Sequence, residues 1–83
     1  MTPPRLKVAS ATFKVVDDRP RVPVVYRVTY YPPQLGDVYV IVQKFHRGVC
    51  RQWMSYRRRA KRTKPSEEAA RGFVRKFQKE TRP

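Results

Sequence analysis

The sequence predicts a small α+β domain: an antiparallel sheet of three to four strands with one C-terminal helix packed on one face. Extended segments with alternating apolar residues occupy residues 6–56, and an amphipathic pattern with helical spacing occupies residues 65–81. Turns marked by proline or glycine separate these segments. Because 83 residues supply only one modest core, residues 1–83 are expected to form a single domain.

Four segments have the composition of strands. A loose tail over residues 1–5 precedes the first, which lies within Leu6–Val16. Val24–Tyr31 is the clearest, since its valines and tyrosines alternate between two faces. Val38–Phe45 is apolar on both faces, which predicts a central position in the sheet, and Val49–Tyr56 forms the fourth segment.

The last segment has the signals of a helix. Ser66 or Thr63 can cap the free amides at its start, and Glu67 and Glu68 suit the positive end of the helix dipole. Gly72 is expected to weaken the helix and to allow a close approach to the sheet. The apolar stripe consists of Ala69, Phe73 and Phe77, with Ala70 and Val74 beside them.

Positive charge is the outstanding feature of the composition. The chain has 20 Lys and Arg against 6 Asp and Glu, a formal net charge of +14. Six of the cations lie in residues 57–64, which predicts a basic loop between the last strand and the helix that holds phosphates by counterion release. These six are Arg57, Arg58, Arg59, Lys61, Arg62 and Lys64.

Other residues are expected to extend this basic surface along the sheet. Arg47 and Arg51 would add cations, and Trp53 or Tyr56 would stack on a base. Simple alternation puts Trp53 with Arg51 on one face and Tyr56 with Met54 on the other. One of those faces must meet the helix, and the sequence leaves open which one meets the ligand.

The sequence has few of the side chains that catalysis and metal binding require, so no enzymatic activity is expected. A single histidine, His46, and a single cysteine, Cys50, predict neither a metal site nor a disulfide, and no cofactor motif is present. The sequence has no apolar run of membrane-spanning length and no apolar signal-peptide core, which favours an intracellular protein of the cytoplasm, nucleoid or an organelle, without a membrane partner.

Two DNA-binding families have a similar pattern. Residues 39–49, with Phe45, His46 and Arg47 at the signature, resemble the WGR domain, and the spacing of Ala69, Phe73, Phe77 and Thr81 is similar to the helix of that family. Residues 25–30 and 63–69 resemble the arm-site-binding (AP2-like) domain of tyrosine integrases, whose sheet inserts into the major groove. Both resemblances imply a sheet-plus-helix fold that contacts DNA.

The expected function is therefore non-catalytic nucleic-acid binding, with DNA favoured slightly over RNA by these resemblances. Two other classes stay open. A small basic structural protein of a ribosome-like RNA particle would have the same size and charge, and so would a phage-encoded protein that binds an acidic host protein. The sequence leaves the oligomeric state undetermined.

Overall fold

Residues 11–82, which the computed structural model describes, form a four-stranded antiparallel sheet and one α-helix. This arrangement confirms the predicted α+β class. Residues 1–5 of the predicted tail, and residues 6–10 of the predicted first strand, lie outside the described part. The strands follow chain order across the sheet and are β1 (Ala11–Asp17), β2 (Val24–Tyr30), β3 (Asp37–His46) and β4 (Val49–Arg59), with helix α1 (Glu67–Thr81) after them.

Alternation along the strands divides the sheet into two faces. The helix face packs against α1 and carries the buried side chains of β2 and β3: Val24, Tyr26, Val28, Tyr30, Val38, Val40 and Val42. The opposite side, here called the open face, carries Arg27 and Thr29 from β2 and Ile41 from β3. Strand β3 is an inner strand, as predicted, and its open-face side chains Ile41 and Phe45 are half-buried between the neighbouring strands.

Helix α1 begins where the sequence predicts a cap. The backbone N–H of Ala69 donates to Oγ of Ser66 at 3.1 Å, so Ser66 rather than Thr63 is the N-cap, and the helix starts at Glu67 instead of residue 65. Ala70, Val74 and Phe77 form the buried stripe. The predicted stripe is therefore shifted, with Phe73 only half-buried at its edge.

Aromatic contacts hold the helix on the sheet. Phe77 meets Tyr26, and Phe73 meets Tyr30, both in edge-to-face pairs with ring centroids about 6 Å apart. The predicted close approach at Gly72 is wrong, because a Cβ at that position would have as its nearest neighbour only Nη2 of Arg75, at 3.9 Å.

Strand β4 is longer than predicted. It pairs with β3 as far as the couple Arg59–Asp37, so the expected loop over residues 57–64 is wrong for its first three arginines. The reason is that β3 starts at Asp37 and offers backbone partners to the end of β4. After Arg59, a 3₁₀ turn over Ala60–Arg62 leads towards the helix, and the N–H of Ala60 donates to the carbonyl of Gly36 at 2.9 Å.

Two tight turns have the same backbone form. Arg47 and Gly48 join β3 to β4 with φ angles of 55° and 79°, and Leu35 and Gly36 have φ angles of 53° and 83° just before β3. Two positive φ angles in succession are the requirement of a type I′ hairpin turn, which glycine and asparagine satisfy most easily. Both turns place a bulky side chain, arginine or leucine, at the first of these positions.

Candidate nucleic-acid interface

A row of four polar and aromatic residues crosses the open face from edge to edge. Lys14 on β1 pairs with Arg27 on β2, Arg27 with Gln43 on β3, and Gln43 with Trp53 on β4. Neighbouring strands are about 4.8 Å apart, so this row spans roughly 14 Å. We call Lys14, Arg27, Gln43 and Trp53 the cross-strand row.

Trp53 is the exposed aromatic end of this row. Its exposed fraction is 61%, so most of the indole is open to solvent rather than packed in the core. The fold gives a reason: α1 covers the other face of the sheet, and β4 is an edge strand. An indole in this position offers a flat surface on which a base can stack.

Arg27 is held in place by a neighbour on the same face. Its guanidinium carbon lies 4.8 Å from the centroid of the Phe45 ring, which is a cation–π distance. Phe45 lies on β3 one step from Gln43 along the open face, and Cys50 is its partner on β4. The contact limits the conformations of the Arg27 side chain, although the residue as a whole is exposed to solvent.

Tyr56 has a structural role, and its predicted stacking on a base is wrong. Its exposed fraction is 6%, and its ring contacts Phe73 on the helix face. The Tyr56 hydroxyl donates to Oε1 of Glu80 at 2.8 Å. Burial, followed by this hydrogen bond, raises the pKa of Tyr56, and the same hydrogen bond, helped by Lys76, lowers the pKa of Glu80. Tyr56 therefore fixes the helix to the sheet.

The predicted basic loop separates into two groups of cations. The first group consists of Arg57 and Arg59, which lie on the open face at the end of β4. Arg57 approaches Oδ2 of Asp37 at 3.8 Å, an exposed pair whose contribution to folding is small. Both arginines are exposed and extend the charge of the open face towards the 3₁₀ turn.

The second group surrounds a depression beside the start of α1. Arg58, Lys61, Arg62 and Lys64 line it, its apolar part comes from Ala69 and Phe73, and its volume is about 420 Å³. The name basic depression is used below for this surface together with its four cations. Arg58 differs from the other three because its guanidinium lies over the Tyr56 and Phe73 rings, 5.5 and 5.4 Å from their centroids, and donates to the Arg57 carbonyl.

Arg47 and Arg51 lie at the opposite end of the sheet. Arg47 occupies the turn between β3 and β4 and is exposed. Arg51 is the extra residue of a bulge, where the register shifts between Lys44 and Phe45. The predicted grouping of Arg51 with Trp53 assumed uninterrupted alternation, which the bulge removes.

The acidic side chains leave the open face largely positive. Asp17 accepts hydrogen bonds from Arg19, which lower the pKa of that carboxyl to about 2. Glu67 pairs with Arg71 and Glu80 with Lys76 on the helix. Within the described strands, the acid of the open face is Asp37, at the end where it meets Arg57.

Sequence reasoning missed Lys14, Arg27 and Gln43 as possible binding residues. Alternation did indicate that Arg27 points away from the apolar face of β2. It did not show which residues of the other strands stand beside it, because that depends on the register of four strands.

Metal binding and membrane spanning are two further possibilities for residues 11–82. There, His, Cys, Asp and Glu side chains form no group of three or more that could bind a metal ion. Nor does this part of the chain contain a helix with the length and apolar character needed to cross a bilayer. Comparison with protein-family models, curated proteins and solved structures found no match to this chain.

Proposed function

We propose that this protein is a non-catalytic nucleic-acid-binding module. Exposed bases of the nucleic acid lie on the open face, and its phosphates contact the cations around that face. The observation that carries the proposal is the cross-strand row, in which two cations, an amide and an exposed tryptophan stand side by side. The opposite face is covered by α1, so the open face is the side of the sheet available to a polymer.

Each member of the row has a role that suits its chemistry. Trp53 stacks on a base, a contact that contributes about 1–3 kcal/mol in single-strand binders. The amide of Gln43 both donates and accepts, as the edge of a base requires. Lys14 and Arg27 neutralise phosphates on the far side of the stacked base, and the Arg27 guanidinium can also accept a base on its plane.

The basic depression and the end of β4 supply the remaining phosphate contacts. Arg59, Lys61, Arg62 and Lys64 are exposed, and none of them forms an ion pair with another residue of the described range. Arg57 exchanges its weak contact with Asp37 for a phosphate. Arg58 contributes less, because stacking on two rings already fixes its guanidinium.

Fluorescence of Trp53 provides the direct test, because it is the single tryptophan of the chain. Titration with short single-stranded DNA should quench its emission, with an affinity that falls as salt rises. DNA is tested first because both sequence resemblances are to DNA-binding families, and RNA of the same sequence shows which polymer is preferred. If neither DNA nor RNA changes the emission of Trp53, the placement of bases on the open face is contradicted.

A pair of variants distinguishes stacking from general attraction. Trp53→Ala should weaken binding of a labelled oligonucleotide by about 1–3 kcal/mol, measured by anisotropy. Val49→Ala, at another exposed apolar position of β4, serves as the control and should leave binding unchanged. Equal affinities for both variants and the parent would exclude Trp53 as a stacking residue.

A pull-down from cells, with and without nuclease, separates this proposal from the two other classes. Partners held through nucleic acid should be lost after nuclease treatment. An acidic protein that persists at stoichiometric amounts would replace the proposal with protein capture. Co-sedimentation with a large RNA particle, combined with poor binding by the isolated chain, would favour the structural-protein class.

A further inference from the structure

A groove adjoins the cross-strand row on the open face. Its volume is about 610 Å³, and it extends across β1, β2 and β3 towards the turn between β3 and β4. Val25 and Phe45 provide apolar surface from the strands, and Val22 and Pro23 provide it from the connection between β1 and β2. This volume lies within the range of about 300–1,000 Å³ that small-molecule sites occupy.

The charged residues of the described range that line the groove are all positive. Lys14, Arg27 and Arg47 contribute cations, and no acidic residue of the described range 11–82 lines it. Charge complementarity therefore calls for an anion, while the apolar side chains call for a ligand with an apolar planar part.

Arg27 gives the groove a prepared stacking surface. Its guanidinium already lies over Phe45 at 4.8 Å, so the group that a planar ligand would cover is held against a ring before the ligand arrives. Bases stack on arginine planes as they do on aromatic rings. The entropic cost of ordering this arginine therefore falls on folding rather than on ligand binding.

Arg47 provides a third cation beside Lys14 and Arg27. It has φ of 55°, in the left-handed region that arginine rarely adopts and that glycine adopts freely. At this turn the unfavourable conformation places a cation at the rim of the groove.

We infer that the groove holds one nucleotide unit, with its base against Val25 and the Arg27 guanidinium and its phosphate between Lys14 and Arg47. This inference rests on the proposed function and adds a defined subsite to it. The nucleotide is one whose base has left the stack, at a strand end or in a single-stranded segment. The groove and Trp53 then hold different bases, because Gln43 separates Arg27 from Trp53 in the row.

Titration with a nucleoside 5′-monophosphate, followed by NMR, tests the subsite on the full chain. The backbone amides of Val25, Arg27, Phe45 and Gly48 should shift together and saturate. The free nucleoside and inorganic phosphate should each bind at least tenfold more weakly, since each fills only half of the groove. Phosphate that binds as tightly as the nucleotide would overturn the inference by leaving only an anion site.

Two glycine substitutions form a matched pair for the same titration. Arg47→Gly removes the cation and keeps the turn, so binding of the monophosphate should weaken about tenfold. Leu35→Gly makes the equivalent change in the other turn, away from the groove, and should leave binding unchanged. Equal binding by both variants and the parent would exclude Arg47 from the subsite and overturn the inference.

Binding of oligonucleotides is measured separately from binding of the monophosphate. If oligonucleotides bind and quench Trp53 while the monophosphate shifts none of the four amides, the groove inference fails and the proposed function stands. If the monophosphate binds in the groove and no oligonucleotide binds, the proposed function fails and the groove is a site for free nucleotides.

Discussion

Changing Lys61, Arg62 and Lys64 together to Gln should lower the salt dependence of nucleic-acid binding without disturbing the fold. All three side chains belong to the basic depression, and none forms an ion pair within residues 11–82. Each phosphate contact contributes about 0.7 to the slope of log K against log salt for single strands and about 0.9 for duplex DNA. Three contacts therefore account for about 2 to 3 units.

The loss of affinity follows from the same slope. If counterion release is the whole contribution of these contacts, a change of about 2 units lowers the affinity roughly a hundredfold at 0.1 M salt. Anisotropy of a labelled oligonucleotide, measured at several salt concentrations, gives both quantities. The unfolding curve should remain that of the parent, because exposed substitutions of this kind change stability by about 0.5 kcal/mol or less each.

A matched variant separates position from total charge. Arg75, Lys79 and Arg82 are exposed on or just after the helix, and their change to Gln also lowers the net charge from +14 by three, to +11. This control should keep most of the parental slope. Equal losses in the two triple variants would refute the reasoning, because binding would then follow net charge rather than the basic depression.

Three other predictions concern the fold. Arg47→Gly and Leu35→Gly should each raise stability by about 0.5 kcal/mol or more, because relief of about 1–2 kcal/mol at positive φ exceeds the entropic cost of glycine; an unfolding midpoint lower than that of the parent would contradict this. Arg58→Gln should lower stability by about 1 kcal/mol through two lost ring contacts, whereas Arg59→Gln should not, as urea unfolding can measure. Hydrogen bonds from Arg19 lower the pKa of Asp17 from 3.8 to about 2. The ionised carboxylate therefore stabilises the fold fully above about pH 4, and this contribution is lost as the pH falls through 2. Asp17→Asn should flatten that part of the pH–stability curve.

The parts of the fold that depend on local sequence were predictable. The alternation of Val24–Tyr30 fixes which of its side chains face the core, since neighbouring residues of a strand point to opposite sides. A cap is recognisable from Ser66 and the two glutamates after it, whereas the choice of Ser66 over Thr63 needed the hydrogen bond from Ala69. The helix and the sheet therefore follow from patterns of a few residues each.

The site depends on relations that no local pattern contains. Lys14 and Trp53 are 39 positions apart in the chain and come to one row only through three strand registers. The bulge at Arg51 changes the register of β4 by one residue and has no distinctive sequence signal. Tyr56 and Trp53 are both aromatic residues of one strand, and only the position of α1 decides that Tyr56 is buried.

The run of arginines at the end of β4 shows how a strand divides a continuous charge. Because successive side chains of a strand point to opposite faces, Arg57 and Arg59 lie on the open face while Arg58 covers two rings beside the helix. A loop could present all three arginines to one polymer; a strand cannot. Arg58 therefore stabilises the fold by shielding Phe73, and the number of phosphates that this segment can contact is smaller than its number of charges. A measured salt slope below the count of cations would be the expected consequence of this division.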